Sequence, residues 1–259
     1  MPKQKMKIVL CFSGQPRTVK ESYEASIYKN LIKVNNITDI FAHIWWRKEW
    51  DECKSWNRGD GWSQGFNLHT INNIKTLYNP LKMEVEDDTD YHDFIKENFI
   101  NNPNYISREK TNIINWYPKY FSIYESNRLK NEYEKEQNFE YDMIIRLRFD
   151  TFLKFPVYIK DLDIVKLHVP TYASNPHKGD ELWTADCGVA DTFAIGNKKN
   201  MDIYCNLVNC LHDLAKKHPN SVAEGTVGNY LKDNNVPVYK SWFYADGTGD
   251  DQINVLRRS

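Results

Sequence analysis

The sequence predicts an α/β fold: a mixed, mostly parallel sheet flanked by helices, in a single domain that spans residues 1–259. Three observations carry this expectation. Short apolar runs alternate with helix-patterned stretches along the whole chain. Two of those runs, residues 7–12 and 39–46, are almost continuously apolar, as strands covered by helices on both faces must be. No repeat, low-complexity linker or shift of composition divides the chain, and 259 residues are enough to bury a sizeable core in one unit.

Residues 7–12 read as a buried first strand. The turn Ser13-Gly14-Gln15-Pro16-Arg17 ends it, with Pro16 at the mouth of a helix that runs to about residue 34. A second strand at 39–46 completes a βαβ unit, and a Trp- and Gly-rich insertion with few periodic signals follows at about 47–66. In a short strand at 82–86, Met83 and Val85 alternate with charged residues. Residues 91–99 read as helix, and 116–135 as a long helix with Tyr120, Ile123, Tyr124 and Leu129 near helical spacing. It leads into a strand over 141–150. Strands at 164–169 and 188–195, helices at about 200–217 and 221–232, and a last strand at 236–241 finish the alternation.

Composition removes several classes of function. Lys plus Arg number 34 against 35 Asp plus Glu, a formal charge of −1, so no overall basic surface exists to drive nucleic-acid binding. No apolar run approaches the roughly 18 residues of a spanning helix, and residues 8–12 are too short for a secretory core, so the expectation is a soluble, cytoplasmic chain without a transmembrane segment. The five cysteines, at 11, 53, 187, 205 and 210, form neither a CxxC pair nor an even framework, which points to free thiols in a reducing compartment. Cys205 and Cys210 can neighbour each other on a helix, but two further zinc ligands at fitting spacing are not evident.

Chemistry is sought first in residues 141–150, Tyr-Asp-Met-Ile-Ile-Arg-Leu-Arg-Phe-Asp. Met143, Ile145, Leu147 and Phe149 share one parity and Arg146, Arg148 and Asp150 the other, so a strand here carries its charges on one face. Ligands in open α/β sheets bind beyond the carboxyl ends of strands, where a carboxylate beside two guanidiniums suits a phosphate-bound divalent cation. Equally, Asp150 held by Arg146 or Arg148 in an ion pair needs no ligand. In the Ser13 to Arg17 turn, backbone N–H groups can face an anion and Arg17 can add charge, although the turn is neither GxGxxG nor a Walker loop and also reads as a plain tight turn.

Trp45, Trp46, Trp50, Trp56 and Trp62 put five of the eight tryptophans in one stretch, either to stack on sugar faces or to anchor the insertion. Asp186 and Asp191 flank Cys187-Gly188-Val189-Ala190; a carboxylate at the mouth of a strand can act as base on a hydroxyl, and an N-cap or turn role is the alternative. Ser221 and Glu224 have the spacing of a capping box. His168 and His218 are possible further metal ligands beside Asp150, or packed or solvated histidines.

Five segments, in order, resemble a small family of GT-A-type glycosyltransferases found in bacterial surface-polysaccharide loci and in large DNA viruses of algae and protists. They are Phe12-Ser13-Gly14-Gln15-Pro16-Arg17-Thr18, Asp39-Ile40-Phe41-Ala42-His43-Ile44-Trp45, Tyr120-Phe121-Ser122-Ile123, Tyr141 to Asp150, and Gly188-Val189-Ala190-Asp191-Thr192-Phe193-Ala194-Ile195-Gly196. The resemblance implies a GT-A-like, Rossmann-like fold and transfer of a sugar from a nucleotide-sugar donor to a hydroxyl of a glycan acceptor, in a bacterial or virus-infected host cytosol. It makes Asp150 the surviving carboxylate of a DxD-like motif and a ligand of Mn²⁺ or Mg²⁺, with Arg148 standing where the first Asp would be and able to bind the diphosphate itself. Ser13, Gly14, Gln15 and Arg17 would lie near the nucleotide, and Asp191 on the acceptor side as catalytic base, ahead of Asp186 and Glu224. The alternatives are a non-catalytic sugar- or nucleotide-binding relative with a degenerate motif, or a nucleotidyltransferase, for which a Gly-rich, Lys-bearing phosphate loop is missing.

Overall fold

The computed structural model describes residues 6–47, 53–54, 63–64, 70–107, 110–172, 189, 191–221, 223–244 and 253–255. Their strands are β1 (Ile8–Gly14), β2 (Asp39–Trp45), β3 (Cys53–Lys54), β4 (Ser63–Gln64), β5 (Lys82–Glu86), β6 (Met143–Leu147), β7 (Thr151–Leu153), β8 (Leu167–Tyr172), β9 (Phe193–Gly196), β10 (Val238–Tyr244) and β11 (Ile253–Val255). Nine of them form one sheet in the order β5-β2-β1-β6-β9-β8-β10-β11-β7, and β3 pairs with β4 separately. β1 is parallel to β2 and β6, β2 to β5, and β10 to β8 and β11, whereas β9 and β7 run antiparallel to their neighbours. This is the mixed, mostly parallel α/β sheet that the alternation predicts.

The apolar runs are buried on both sides. Val9 and Cys11 of β1 belong to the core under the long helix Ile113–Gln137, while Leu10 and Phe12 belong to the opposite core with Ile27 and Leu31 of the first helix, residues 19–35. In β6 the predicted parity holds: Met143, Ile145, Leu147 and Phe149 share the second core, and Ile144 faces the first. Phe149 stacks on Phe12 with centroids 4.7 Å apart, so the residue between Arg148 and Asp150 anchors their turn to the central strand. Asn138, at φ 53°, ends the long helix in the left-handed region that Asn tolerates better than most residues.

Several boundaries differ from expectation, each for a local reason. β6 ends at Leu147, so Arg148, Phe149 and Asp150 lie beyond it rather than on it. The strand expected at 188–195 starts at Phe193, leaving Asp191 in a turn, and the one expected at 164–169 occupies Leu167–Tyr172. The helix expected over 200–217 is two helices, Lys198–Cys205 and Leu211–Lys217, joined by a tight 3₁₀ turn at Asn206–Cys210. Helix Thr70–Tyr78, not anticipated, buries Thr70, Ile74 and Tyr78, one residue per turn, and Tyr78 meets Phe12 edge-on at 4.6 Å. β7 ends the sheet order and was also missed. Ser26 and Asn30 of the first helix occupy its backbone: Ser26 Oγ accepts from the Leu153 amide at 2.6 Å and Asn30 Nδ2 donates to the Leu153 carbonyl at 2.6 Å. The Trp-rich insertion lies outside the described residues apart from Arg47 and the β3–β4 pair.

Candidate functional site

The chain runs from β1 outward through β2 to β5 on one side, then returns to place β6 against the other edge of β1. The carboxyl ends of β1 and β6 therefore border a topological switch point, the place where open α/β sheets bind ligands. Ser13 and Gly14 come from β1, Arg146 from β6, Arg148 and Asp150 from the turn after β6, and Asp191 from the turn that enters antiparallel β9.

Arg146 is the centre of this arrangement. Its side chain, 1% exposed, donates from Nε to Ser13 Oγ at 2.8 Å and from a terminal nitrogen to the backbone carbonyl of Asp191. One buried guanidinium thus ties the end of β1 to the start of β9. Arg148 donates to Asp150 through two parallel bonds, Nε to Oδ1 at 2.9 Å and a terminal nitrogen to Oδ2 at 2.7 Å. Asp150 is fully buried, whereas Arg148 keeps part of its guanidinium in solvent. The ion pair that the sequence offers for Asp150 is formed, with Arg148 as its partner.

Asp191 is buried and lies 2.9 Å from Lys119 Nζ of the long helix. Burial pulls its pKa upward, but the charges of Lys119, Arg148 and Arg146 outweigh burial and hold the carboxyl well below the ordinary carboxylate range. It is therefore ionised and anchored at neutral pH. Beside it, Tyr204 Oη and Thr192 Oγ1 are buried and have no hydrogen-bond partner among the described residues, and burial pushes the Tyr204 phenol up to about 12.

The Ser13 to Arg17 turn offers an anion fewer amides than its sequence suggests. Gly14 N–H donates to Ser122 Oγ at 2.7 Å, Arg17 N–H to the Gln15 carbonyl at 2.9 Å, and Pro16 has no N–H. The Arg17 guanidinium donates to Gln15 Oε1. Gly14 has φ 102°, a conformation open to glycine and costly for other residues.

The other candidates are engaged elsewhere. His168 Nε2 meets the Asp163 carbonyl at 2.9 Å, and His218 Nε2 meets Asp233 at 2.9 Å, so neither joins Asp150. Ser221 Oγ accepts from Asn229 at 2.7 Å. Asp186, Cys187, Gly188 and the Glu224 side chain lie outside what is described. Among the described residues, no group of three His, Cys, Asp or Glu side chains comes together to hold a metal ion. Both Asp150 oxygens accept from the Arg148 fork, so a divalent ion bound to Asp150 would share that carboxylate with the guanidinium.

Residues that sequence reasoning did not assign a role are Lys119, Ser122, His43 and Glu86. His43 is fully buried on β2, with Nδ1 2.8 Å from Ser122 Oγ and Nε2 3.3 Å from Glu86 at the end of β5. The hydrogen bond from His43, aided by that from Tyr91 Oη at 2.9 Å, keeps Glu86 below its ordinary carboxylate pKa against the pull of burial. His43 and Ser122 do fall within segments that carry the family resemblance, which is the one signal that could have marked them.

No family model matches this chain, and no curated protein sequence matches it. Among solved structures it is similar to the apo form of mouse xyloside xylosyltransferase 1, with 9% sequence identity, 97% of each chain covered and a TM-score of 0.44. A likeness of that size carries no argument about activity. Among the described residues, no helix is long and apolar enough to cross a membrane.

Proposed function

We propose that this chain is a glycosyltransferase of GT-A-like architecture that moves a sugar from a nucleotide-sugar donor to a hydroxyl of a glycan acceptor. The observation that carries the reading is the cluster at the carboxyl ends of β1 and β6, where Ser13 meets Arg146, Arg146 meets the Asp191 carbonyl, Arg148 meets Asp150 and Lys119 meets Asp191. Three of the five family-like segments supply residues of this cluster, and Ser122 and His43 of the other two stand behind Gly14. A nucleoside diphosphate leaving group gains negative charge as the glycosidic bond breaks, so a preorganised cation beside it stabilises the transition state more than the ground state. The partly exposed guanidinium of Arg148, held by Asp150, has the position and the geometry for that task. In this reading Asp150 orients Arg148 rather than binding a metal, and Asp191 faces the acceptor.

The test is to incubate the protein with UDP-, GDP- and CMP-linked sugars and follow release of free nucleotide. Slow hydrolysis of one donor supports the enzyme and identifies the donor; absence of both turnover and binding across the panel removes the reading. Because guanidinium charge replaces a metal ion here, a chelator should leave turnover within about twofold of the untreated rate. Loss of turnover on chelation, restored by Mn²⁺, would return the divalent ion to the mechanism. Arg148→Ala is expected to weaken nucleoside-diphosphate binding by about 1.5–3 kcal/mol, the scale of a charge-assisted hydrogen bond. Unchanged affinity by calorimetry would leave Arg148 as no more than the partner of Asp150.

One observation favours a second reading, a sugar- or nucleotide-binding protein without transfer activity. Both candidate carboxylates are held in ion pairs, Asp150 by Arg148 and Asp191 by Lys119. Tight nucleotide-sugar binding with no hydrolysis and no transfer would select it.

A further inference from the structure

We propose that Ser122 and His43 are positioning residues that hold the Ser13 to Arg17 turn in its ligand-ready shape; the inference rests on that turn being part of the nucleotide site. Gly14 sits at φ 102°, and among the described residues a Cβ placed there would meet nothing within 4 Å, so side-chain packing in that direction does not set the peptide. Sheet pairing with β2 and the Arg17–Gln15 bonds hold the two ends of the turn, and the amide of Gly14 is held by the 2.7 Å bond to Ser122 Oγ, made across 108 residues of chain.

Ser122 is itself fully buried and is oriented from the other side. A carboxylate only accepts, so the contact between Glu86 and His43 Nε2 requires a proton on Nε2. Ser122 Oγ lies 2.8 Å from His43 Nδ1 and 3.3 Å from the His43 backbone carbonyl, either of which can take its one proton, and in both cases an oxygen lone pair is left for the Gly14 amide. Gly14 N–H thus donates to Ser122 Oγ, and Ser122 Oγ–H donates to His43. His43 Nε2–H and Tyr91 Oη–H both end on Glu86. Ring packing holds the imidazole in plane, with Trp45 edge-on at 4.8 Å and Phe121 at 5.9 Å. The chain of bonds links the ends of β1, β2 and β5 with the long helix, so four elements define one peptide orientation.

Ser126, one turn along the same helix, provides the matched control. It is equally buried, but its hydroxyl donates to the Ile123 carbonyl at 2.9 Å within the helix. The experiment compares wild type, Ser122→Ala, Ser122→Cys and Ser126→Ala by amide hydrogen exchange of the segment containing Gly14. The same four proteins are titrated calorimetrically with UDP, GDP, CDP and ADP. Ser122→Ala should speed exchange at Gly14 and weaken the best-bound nucleotide about five- to tenfold, the loss of roughly one hydrogen bond. Ser122→Cys, with a weakly accepting sulfur, should fall between, and Ser126→Ala should stay within about twofold of wild type. Equal effects of Ser122→Ala and Ser126→Ala on both readouts, or undiminished affinity in Ser122→Ala, would overturn the inference. If wild type binds none of the four nucleotides, the nucleotide reading falls, and Gly14 exchange alone decides whether Ser122 holds the turn.

Discussion

Asp150→Ala is expected to lower donor hydrolysis by roughly 10²-fold or more and to lower stability by about 1.5–3 kcal/mol. Both effects have one origin. Asp150 is fully buried and accepts the two parallel bonds of the Arg148 fork, so its removal takes away the partner that orients a partly exposed guanidinium. A strand-end acid that served only a metal would have been cheap to delete, and its burial is what makes the difference. The two effects separate in the double variant Arg148→Met with Asp150→Leu. Replacing a buried ion pair by apolar side chains of similar size restores most of the stability, because no unpaired charge remains. The double variant should therefore melt near wild type and still fail to turn over donor. Near-normal turnover in either protein would remove the pair from the site.

Asp191→Asn is expected to leave nucleotide-sugar affinity within a few-fold while transfer falls by roughly 10²-fold or more, the usual range for loss of a general base. The electrostatics add a condition. In the free protein Lys119, Arg148 and Arg146 hold the carboxyl far below neutrality, which makes it a weak base until the acceptor or the donor phosphates draw those cations away. Transfer should then depend on both substrates being bound, and hydrolysis without acceptor should be slow. If affinity and transfer fall together, Asp191 holds the donor; if neither changes, Asp186 and Glu224 come next. The stability effect has a fixed sign. The folded-state pKa of Asp191 lies below the unfolded value of about 3.9, so its contribution is complete above that pH and is lost as pH falls towards the folded value. The melting-temperature gap between wild type and Asp191→Asn, expected to reflect about 1–3 kcal/mol at pH 7, should close on acidification below about pH 4. A gap that persists at low pH would mean that packing, not charge, sets it.

Much of the sheet was legible because period and burial coincide in it. β1, β2 and β5 lie within a residue or two of expectation, β6 stops three residues short of it, and the parity that sets Met143, Ile145, Leu147 and Phe149 in one core sets Ile144 in the other. β7 and β11 were not anticipated, since three residues are too few to display a period, and β7 is satisfied by Ser26 and Asn30 from a helix more than a hundred residues earlier. At the site, residue types at strand ends were readable but their partners were not. Nothing in the spacing shows that Lys119 meets Asp191, that Arg146 spans Ser13 and the Asp191 carbonyl, or that Ser122 takes the Gly14 amide. Each is a contact between elements far apart in sequence, made by a side chain whose direction is set by tertiary packing.

The residues of the site also set an order of assembly. β1 finds β2 and β5 within the first 86 residues, whereas its other neighbour, β6, starts at Met143, and the Lys7 amide reaches the Asp142 carboxylate across 135 residues. Loop closure over that distance must precede the contacts that reward it. No folding nucleus confined to the first hundred residues can contain a finished site, because Arg146 and Asp191 have yet to arrive. During synthesis the glycine turn of β1 therefore exists before anything can occupy it, and the capacity to bind appears only after the second half of the chain has docked.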